Sequence, residues 1–414
     1  MCTFMVLETI EYYKSKGSNV HVMLLDASKA FDRVNYIKLF DKLLRKGMCP
    51  LTVRLLLSMY TNQKLQVKWN NHLTQKFNVT NGVRQGGVLS PLLFSIYVDD
   101  LLDKLKNNGI GCHIGHIFVG ALGYADDLIL LCPSVVGLNN MIKICEDYAN
   151  EHDILFNGKK SKYLVFGPYE YNHTVRVNNE IVERCNKAVH LGHILHTGDN
   201  HDALIGDAIV KLNNSFHVFM SRFNSCNTTT RNKLFHQYCS SMYGSQLWDL
   251  SRSDKIYSKW RKYHRIVLGL VNTTHCDLIP LISDNMPLDC ILDLKFLSFY
   301  RSIMSSENKA VKYVAHRMSQ SSTSIMCKNV NHLRYKYDIR MDDIMDLSKY
   351  ELRKHCYSKW CSEVEPLYPM YASIIKEMIL MTESRCNFIV NNFVVERWLS
   401  NEQCKHIIDS LCTI

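Results

Sequence analysis

The sequence predicts an α+β fold over residues 1–200 and a helical continuation after them. Two patterns carry this expectation. Up to residue 200, short apolar runs bounded by Gly, Asn or Asp alternate with segments whose apolar residues recur at three- and four-residue spacing. After Asp202 the helical spacing continues in long stretches and strand signals fade. The 414 residues are 47% hydrophobic and 21% charged, with 18 Gly and 8 Pro, which is globular composition with length enough for several domains.

The elements follow in order. Thr3 to Lys16 has Phe4, Leu7 and Ile10 at helical spacing, then a Gly17-Ser18-Asn19 turn. Val20 to Leu25 is an apolar strand ending at Asp26. Tyr36 to Lys46 is an amphipathic helix stopped by Gly47, and Leu51 to Met59 is another helix. Leu65–Trp69 and Lys76–Thr80 read as strands around an Asn70-Asn71 hairpin turn. Gly82 to Gly87 is a Gly-rich loop, after which Ser90 as N-cap and Pro91 open a helix through Leu105. Ile117 to Leu131 is strand, tight turn at Gly123–Asp127, and strand. Asn139–Glu151 is helical and Leu164–Phe166 is a strand. Beyond them, helices are expected over Ala203–Phe223, Arg231–Trp248 and Ile256–Val271, then a linker over Thr273–Pro287 and a helical remainder with a polar loop at Ser319–Ser324.

Forty-nine Lys+Arg against 39 Asp+Glu gives a net charge of +10, which suits a polyanionic partner such as nucleic acid. No apolar run is long enough to span a bilayer, so no membrane partner is expected. The N-terminal stretch has no basic leader, and sixteen Cys are diluted over a long chain. Reduced thiols in an intracellular protein, nuclear or cytoplasmic, are therefore expected.

Three carboxylates stand out. Asp26 ends an apolar strand, where it either caps the next turn or points into a site. Asp126 and Asp127 sit in a turn between apolar strands, where adjacent carboxylates repel unless a divalent cation offsets their charge. A plain turn is the alternative, since Asp is a common turn residue. Together the three suggest a two-metal site. Tyr97-Val98-Asp99-Asp100 repeats the Tyr-x-Asp-Asp spelling, but it lies inside a helix and reads as a solvated helix face. Cys386, Cys404, His406 and Cys412 fit no standard zinc spacing. Trp248, Tyr257, Trp260 and Tyr263 among Arg252, Lys255, Lys259, Arg261, Lys262 and Arg265 are either a phosphate-binding surface or an amphipathic helix.

In this order the residues resemble the motifs of reverse transcriptases. Leu24–Asp32 resembles motif A, Asn81–Phe94 motif B, Tyr124–Asp127 motif C, Asn157–Lys162 motif D, and His190–Leu195 the primer grip, motif E. The Ala-Phe-Asp ending and the Tyr-Ala-Asp-Asp box are similar to those of non-LTR (LINE-type) retrotransposon enzymes.

The resemblance implies a polymerase right hand. Its palm, residues 1–200, would have split βαβ order; a helical thumb would cover 201–272, and a helical region of unknown role 273–414. It implies RNA-directed DNA polymerase activity, by two-metal nucleotidyl transfer to a primer 3′-hydroxyl. The partners would be an RNA template, a DNA primer and deoxynucleoside triphosphates. Asp26, Asp126 and Asp127 would hold two Mg²⁺ ions, or Mn²⁺ in their place, with the Ala27 carbonyl adding a ligand. Phe31 would be the gate under the sugar, unless it is a core aromatic. Gln85 and Gly86 would meet the incoming nucleotide. Arg84 would meet template or nucleotide, or be a solvated loop residue. Lys160 would be the general acid toward pyrophosphate, or part of a basic turn. Asp32 is expected to make a structural hydrogen bond. Only a short stretch precedes Asp26, so the fingers are expected to be mostly missing. The alternative function is a catalytically inactive, truncated retroelement remnant that retains nucleic-acid binding.

Overall fold

The computed structural model describes residues 1–169, 173–283, 285–340, 343–364 and 366. The cysteines and histidine weighed for zinc near the C-terminus lie outside them. The chain divides into two compact units, Met1–Gly198 and a second beginning at Asp199.

The first unit opens with helix α1 (Cys2–Lys14), strand β1 (Val20–Asp26) and a 3₁₀ turn at Phe31–Arg33. Helices α2 (Tyr36–Arg45) and α3 (Pro50–Thr61) follow. The Asn35 side chain caps α2 by accepting from the Lys38 N–H, and Pro50 stands at the first position of α3, where its missing N–H costs nothing. A hairpin then carries four two-residue strands, β2 (Lys64–Leu65), β3 (Lys68–Trp69), β4 (His72–Leu73) and β5 (Phe77–Asn78). Helix α4 (Ser90–Asn108) ends at Gly109 with φ +72°. Strands β6 (His113–Ile114), β7 (Ile117–Phe118), β8 (Ala121–Tyr124) and β9 (Asp127–Cys132) lead to helix α5 (Val135–Glu151) and strand β10 (Lys162–Phe166). Two small hairpins close the unit, β11 (Val175–Val177) with β12 (Glu180–Val182), and β13 (Lys187–His190) with β14 (His193–His196).

The central sheet has the order β10-β1-β9-β8, with every neighbouring pair antiparallel. β1 and β8 therefore run the same way with β9 between them, and β9 and β10 run the same way with β1 between them. This is the split βαβ arrangement, and it puts β1 at the centre. Alternation sends Met23 and Leu25, Leu128 and Leu130, and Tyr163 and Val165 to one face. There they join one apolar cluster with Leu39 of α2, Phe94 and Tyr97 of α4, and Met141 and Tyr148 of α5. Val22, Ile129, Leu131 and Leu164 alternate with these and are also buried, so the central strands read as continuous apolar runs.

Ser90 departs from expectation. It is the first helical residue rather than the cap, and its hydroxyl donates to the Arg84 carbonyl, tying the helix start to the Gly-rich loop.

The second unit is helical: α6 (Asn200–Phe223), α7 (Thr228–Cys239), α8 (Asp254–Leu268), α9 (Leu278–Ser283), α10 (Leu288–Met304), α11 (Lys309–Ser319), α12 (Ile325–Tyr337), α13 (Asp343–Asp346) and α14 (Lys349–Val364). The helix expected over Arg231–Trp248 stops at Cys239, because Met242 and Gly244 take positive φ and a 3₁₀ turn follows at Ser245–Leu247. The expected linker contains α9. Trp248, Tyr257, Trp260 and Tyr263 are all buried. Tyr263 stacks on Phe216 with ring centroids 3.9 Å apart, and the Trp260 indole N–H donates to Ser240 Oγ at 2.8 Å. Of the two readings of this stretch, the amphipathic helix is correct for the aromatics, which are core. Among the described residues, no helix is long and apolar enough to cross a membrane, and the cysteines are free thiols.

Candidate active site

β1 and β9 pair in a register that sets Asp26 directly across from Asp127. β8 and β9 are joined by a two-residue turn, with Tyr124 paired to Asp127 and Ala125 and Asp126 at the corner. Ala125 has φ +53°, a conformation that costs an L-residue roughly 1–2 kcal/mol. The hairpin thus brings Asp126 and Asp127 to the end of the strand beside Asp26. Asp26 is half-buried, and the other two are exposed. Partial burial, then the charges of Asp126 and Asp26, push the Asp127 carboxyl up. Among the described residues, no Lys or Arg forms an ion pair with any of the three. Oxygen donors with no protein countercharge suit hard divalent cations such as Mg²⁺ or Mn²⁺, but the ligand atoms of the three do not all lie within 4.8 Å of one another; among the described residues only those of His275, Cys276 and Asp277 do.

The flanks of this end are tied together by backbone. The Asp26 N–H donates to Ser161 Oγ at 3.2 Å, the Asn157 N–H to the Asp26 carbonyl at 2.9 Å, and the Ser28 N–H to the Leu155 carbonyl at 2.8 Å. Ala27 bridges to Phe156. The Asn157–Lys162 turn therefore lies alongside Asp26. Lys160 is exposed on it, its N–H held by Asn157 Oδ1 at 3.2 Å. Its neighbour Lys159 faces Glu180 at 3.9 Å.

On the other side, the Phe31–Arg33 turn packs against the Gly-rich loop. The Gly82 N–H donates to the Val34 carbonyl at 2.9 Å and the Val83 N–H to the Phe31 carbonyl at 2.7 Å. Gly82 has φ +91°, and a Cβ there would stand 2.8 Å from the Asp32 carbonyl oxygen. Only glycine permits both the conformation and the approach. Phe31 is half-buried and stacks on Phe94 with centroids 4.8 Å apart. Gln85 Nε2 donates to Asp32 Oδ1 at 3.2 Å. Arg84 and Gln85 are exposed, and Gly86, φ +79°, has open space where a side chain would be.

Asp99 and Asp100 lie on α4, away from this turn. Both are about half exposed, and both are paired, Asp99 with Lys46 and Asp100 with Lys42 at 2.8 Å. The Lys42 ammonium is buried and also donates to the Tyr97 carbonyl at 2.7 Å and to the Tyr148 hydroxyl. Burial lowers the Lys42 pKa, against the pull of Asp100. The expected solvated face is thus a pair of ion pairs fastening α4 to α2. His190, in the β13–β14 hairpin, is buried with neither ring nitrogen hydrogen-bonded, and burial followed by the neighbouring His193 lowers its pKa to about 4. Sequence reasoning overlooked Lys42 and the Gly82–Asp32 contact. An amphipathic helix carrying one lysine on its inner face is a faint signal for the former.

Comparisons with known proteins bear mainly on the first unit. Residues 2–195 match the model of the family described as reverse transcriptase (RNA-dependent DNA polymerase). The chain is 32% identical over 167 residues to the retrovirus-related Pol polyprotein from type-1 retrotransposable element R2 of Nasonia vitripennis, covering 40% of this chain and 16% of that protein. It is 25% identical over 235 residues to the RNA-directed DNA polymerase from mobile element jockey of Drosophila funebris, covering 55% of this chain and 24% of that protein. A telomerase structure from Candida albicans aligns with a TM-score of 0.35 at 13% identity, over 75% of this chain and 54% of that one, too loosely to carry an argument. The chain spans a quarter or less of the length of these two retrotransposon relatives. Residues 2–195 thus match the reverse transcriptase family, and within that stretch the chain is similar to proteins from the retrotransposable element R2 and the mobile element jockey.

Proposed function

We propose that this chain carries out RNA-directed DNA synthesis, joining deoxynucleotides to a primer 3′-hydroxyl along an RNA template. The observation that carries the reading is the pairing of Asp26 with Asp127 beside the Asp126 corner. In this reading residues 1–200 act as palm and 201–272 as thumb, and the described helices α9 to α14 form a further region. Asp26 and Asp126 would hold two Mg²⁺ ions, with Asp127 completing the acidic set and the Ala27 carbonyl as a further ligand. Bound there, the ions supply activation of the primer hydroxyl and stabilisation of the leaving pyrophosphate.

The chain's own residues do the positioning. Phe31, braced by Phe94, lies under the sugar and excludes a 2′-hydroxyl. Gln85 and Gly86 border the incoming nucleotide, where the missing Gly86 side chain permits close approach. Arg84 meets template or nucleotide phosphate. Lys160 donates a proton toward the pyrophosphate.

The test is primer extension on an RNA template by the purified chain with Mg²⁺. Extension that disappears in Asp126→Asn, with template binding retained, supports the reading. Extension unaffected by Asp126→Asn removes it.

A further inference from the structure

We propose that the hairpin over residues 63–79 is a contact for single-stranded RNA, with Trp69 stacking on an unpaired base and the hairpin lysines meeting phosphates. The inference rests on the polymerase reading only for identifying that strand as template.

Every residue from Lys64 to Asn78 is exposed. The hairpin is held by its own pairs, Leu65 across from Phe77 and Trp69 across from His72, and by the Val79 N–H donating to the Gln63 carbonyl at 3.0 Å. At ~3.3 Å per residue, its tip at Asn70-Asn71 stands about 23 Å from that closing pair. Asn70 turns the chain with φ +49°, and Trp69 just before it is 77% exposed. Two short ladders build the hairpin, Lys64–Leu65 with Phe77–Asn78 and Lys68–Trp69 with His72–Leu73, and in each an exposed apolar residue stands next to a lysine. Phe77, 48% exposed, lies opposite Leu65. A protein seldom leaves a whole hairpin in water with Leu65, Val67, Trp69, Leu73 and Phe77 exposed on it, unless a partner covers them.

Charge identifies the partner. Between Asp41 and Asp99 the chain has no Asp or Glu, whereas the hairpin carries Lys64, Lys68 and Lys76 and the preceding helix carries Arg54. A protein partner would cover the apolar residues without explaining why this whole stretch lacks carboxylates. A polyanion accounts for the missing acids, and bases account for the exposed aromatics. A ring near a narrow tip needs a base free of its own stack, which favours a single strand over a duplex. Aromatic platforms flanked by lysines bind single strands with little sequence preference.

The test is the affinity of the full chain for a fluorescein-labelled, mixed-sequence single-stranded RNA, measured by anisotropy in EDTA across a salt series. Trp69→Ala should weaken binding roughly 5- to 150-fold, the range for one lost base stack, and Trp69→Phe should restore most of it. Replacing Lys64, Lys68 and Lys76 by Gln should lower the slope of log K against log salt by about 2, at ~0.7 per phosphate contact. These exposed positions lie outside the core, so the thermal transition should not move. Unchanged affinity in Trp69→Ala with an unchanged slope in the lysine variant overturns the proposal. So does a self-association, seen by sedimentation, that Trp69→Ala abolishes while RNA affinity stays constant. Asp126→Asn should bind this RNA as the parent chain does, so loss of extension and loss of hairpin binding are separable results.

Discussion

Gly82→Ala probes the joint between the Phe31–Arg33 turn and the Gly-rich loop. A methyl group there meets the Asp32 carbonyl oxygen at 2.8 Å and the Asp32 Cα at 2.9 Å. Both are backbone atoms, so no rotamer change relieves the clash. The φ of +91° adds a conformational penalty of roughly 1–2 kcal/mol, and forcing the two segments apart costs about 1–3 kcal/mol more. The total, about 2–5 kcal/mol, falls on the two hydrogen bonds that close the joint, Gly82 to Val34 and Val83 to Phe31. Native-state hydrogen exchange reads it directly. Protection of the Val83 amide should drop roughly 30-fold at the low end and more than 1,000-fold at the high end, if its exchange reports local opening. Gly86→Ala is the control, since Gly86 has φ +79° but open space around it. It should lose only the conformational part, about 1–2 kcal/mol, and leave Val83 protected. Equal protection of Val83 in the two variants would refute the argument that this contact requires glycine.

On the proposed reading of Phe31 as the sugar gate, Phe31→Ala should raise ribonucleotide incorporation relative to deoxynucleotide in a competition assay; an unchanged ratio in a folded variant returns Phe31 to its packing against Phe94. Asp99→Asn should leave primer extension near the parent rate, in contrast to Asp126→Asn, since Asp99 is engaged by Lys46 at the end of α2. In the second unit, Lys336 Nζ reaches Asp289 at 2.9 Å and the fully buried Asp293 at 2.6 Å, so Lys336→Met should destabilise that unit by about 3–5 kcal/mol in urea unfolding by stranding a buried carboxylate. Asp100 is partly buried, which raises its pKa, but the Lys42 hydrogen bond and charge outweigh this and hold it below its usual 3.8. Its contribution to stability is therefore present above pH ~3.8 and lost as pH falls through its folded-state value, and Asp100→Asn should flatten that part of the acid-unfolding curve.

Local chemistry carried most of what was legible in the sequence. The apolar run before Asp26, the corner at Ala125-Asp126 and the glycines after the helices at Arg45, Asn108 and Leu268 all act within a few residues, and each marks an element end. The apolar runs of β1 and β9 were readable as buried strands, but their register was not, because it depends on residues about a hundred positions apart. The same holds for Asp100 with Lys42, each of which alone reads as an ordinary surface group, and for Asp32, whose structural hydrogen bond is expected but whose partner, Gln85, no local signal names. Ser90 has the composition of a cap, yet its hydroxyl is taken by a carbonyl from the preceding loop. The aromatics of α8 lie among cations along the sequence, and only the helical turn separates them into a buried side and a wet side.

The placement of Asp26 across from Asp127 by strand register has a consequence for how such a site tolerates change over time. The residues between Val20 and Asp26 can exchange one apolar side chain for another of similar volume, and the carboxylates stay where they are, because backbone hydrogen bonds hold the spacing. Length is another matter. A single residue lost from β1 or β9 moves the remainder of that strand to the opposite face and carries its carboxylate away from the other. Sequences that keep this arrangement are thus free to drift in spelling but constrained in count. An insertion inside either strand should mark a copy in which the paired carboxylates no longer meet.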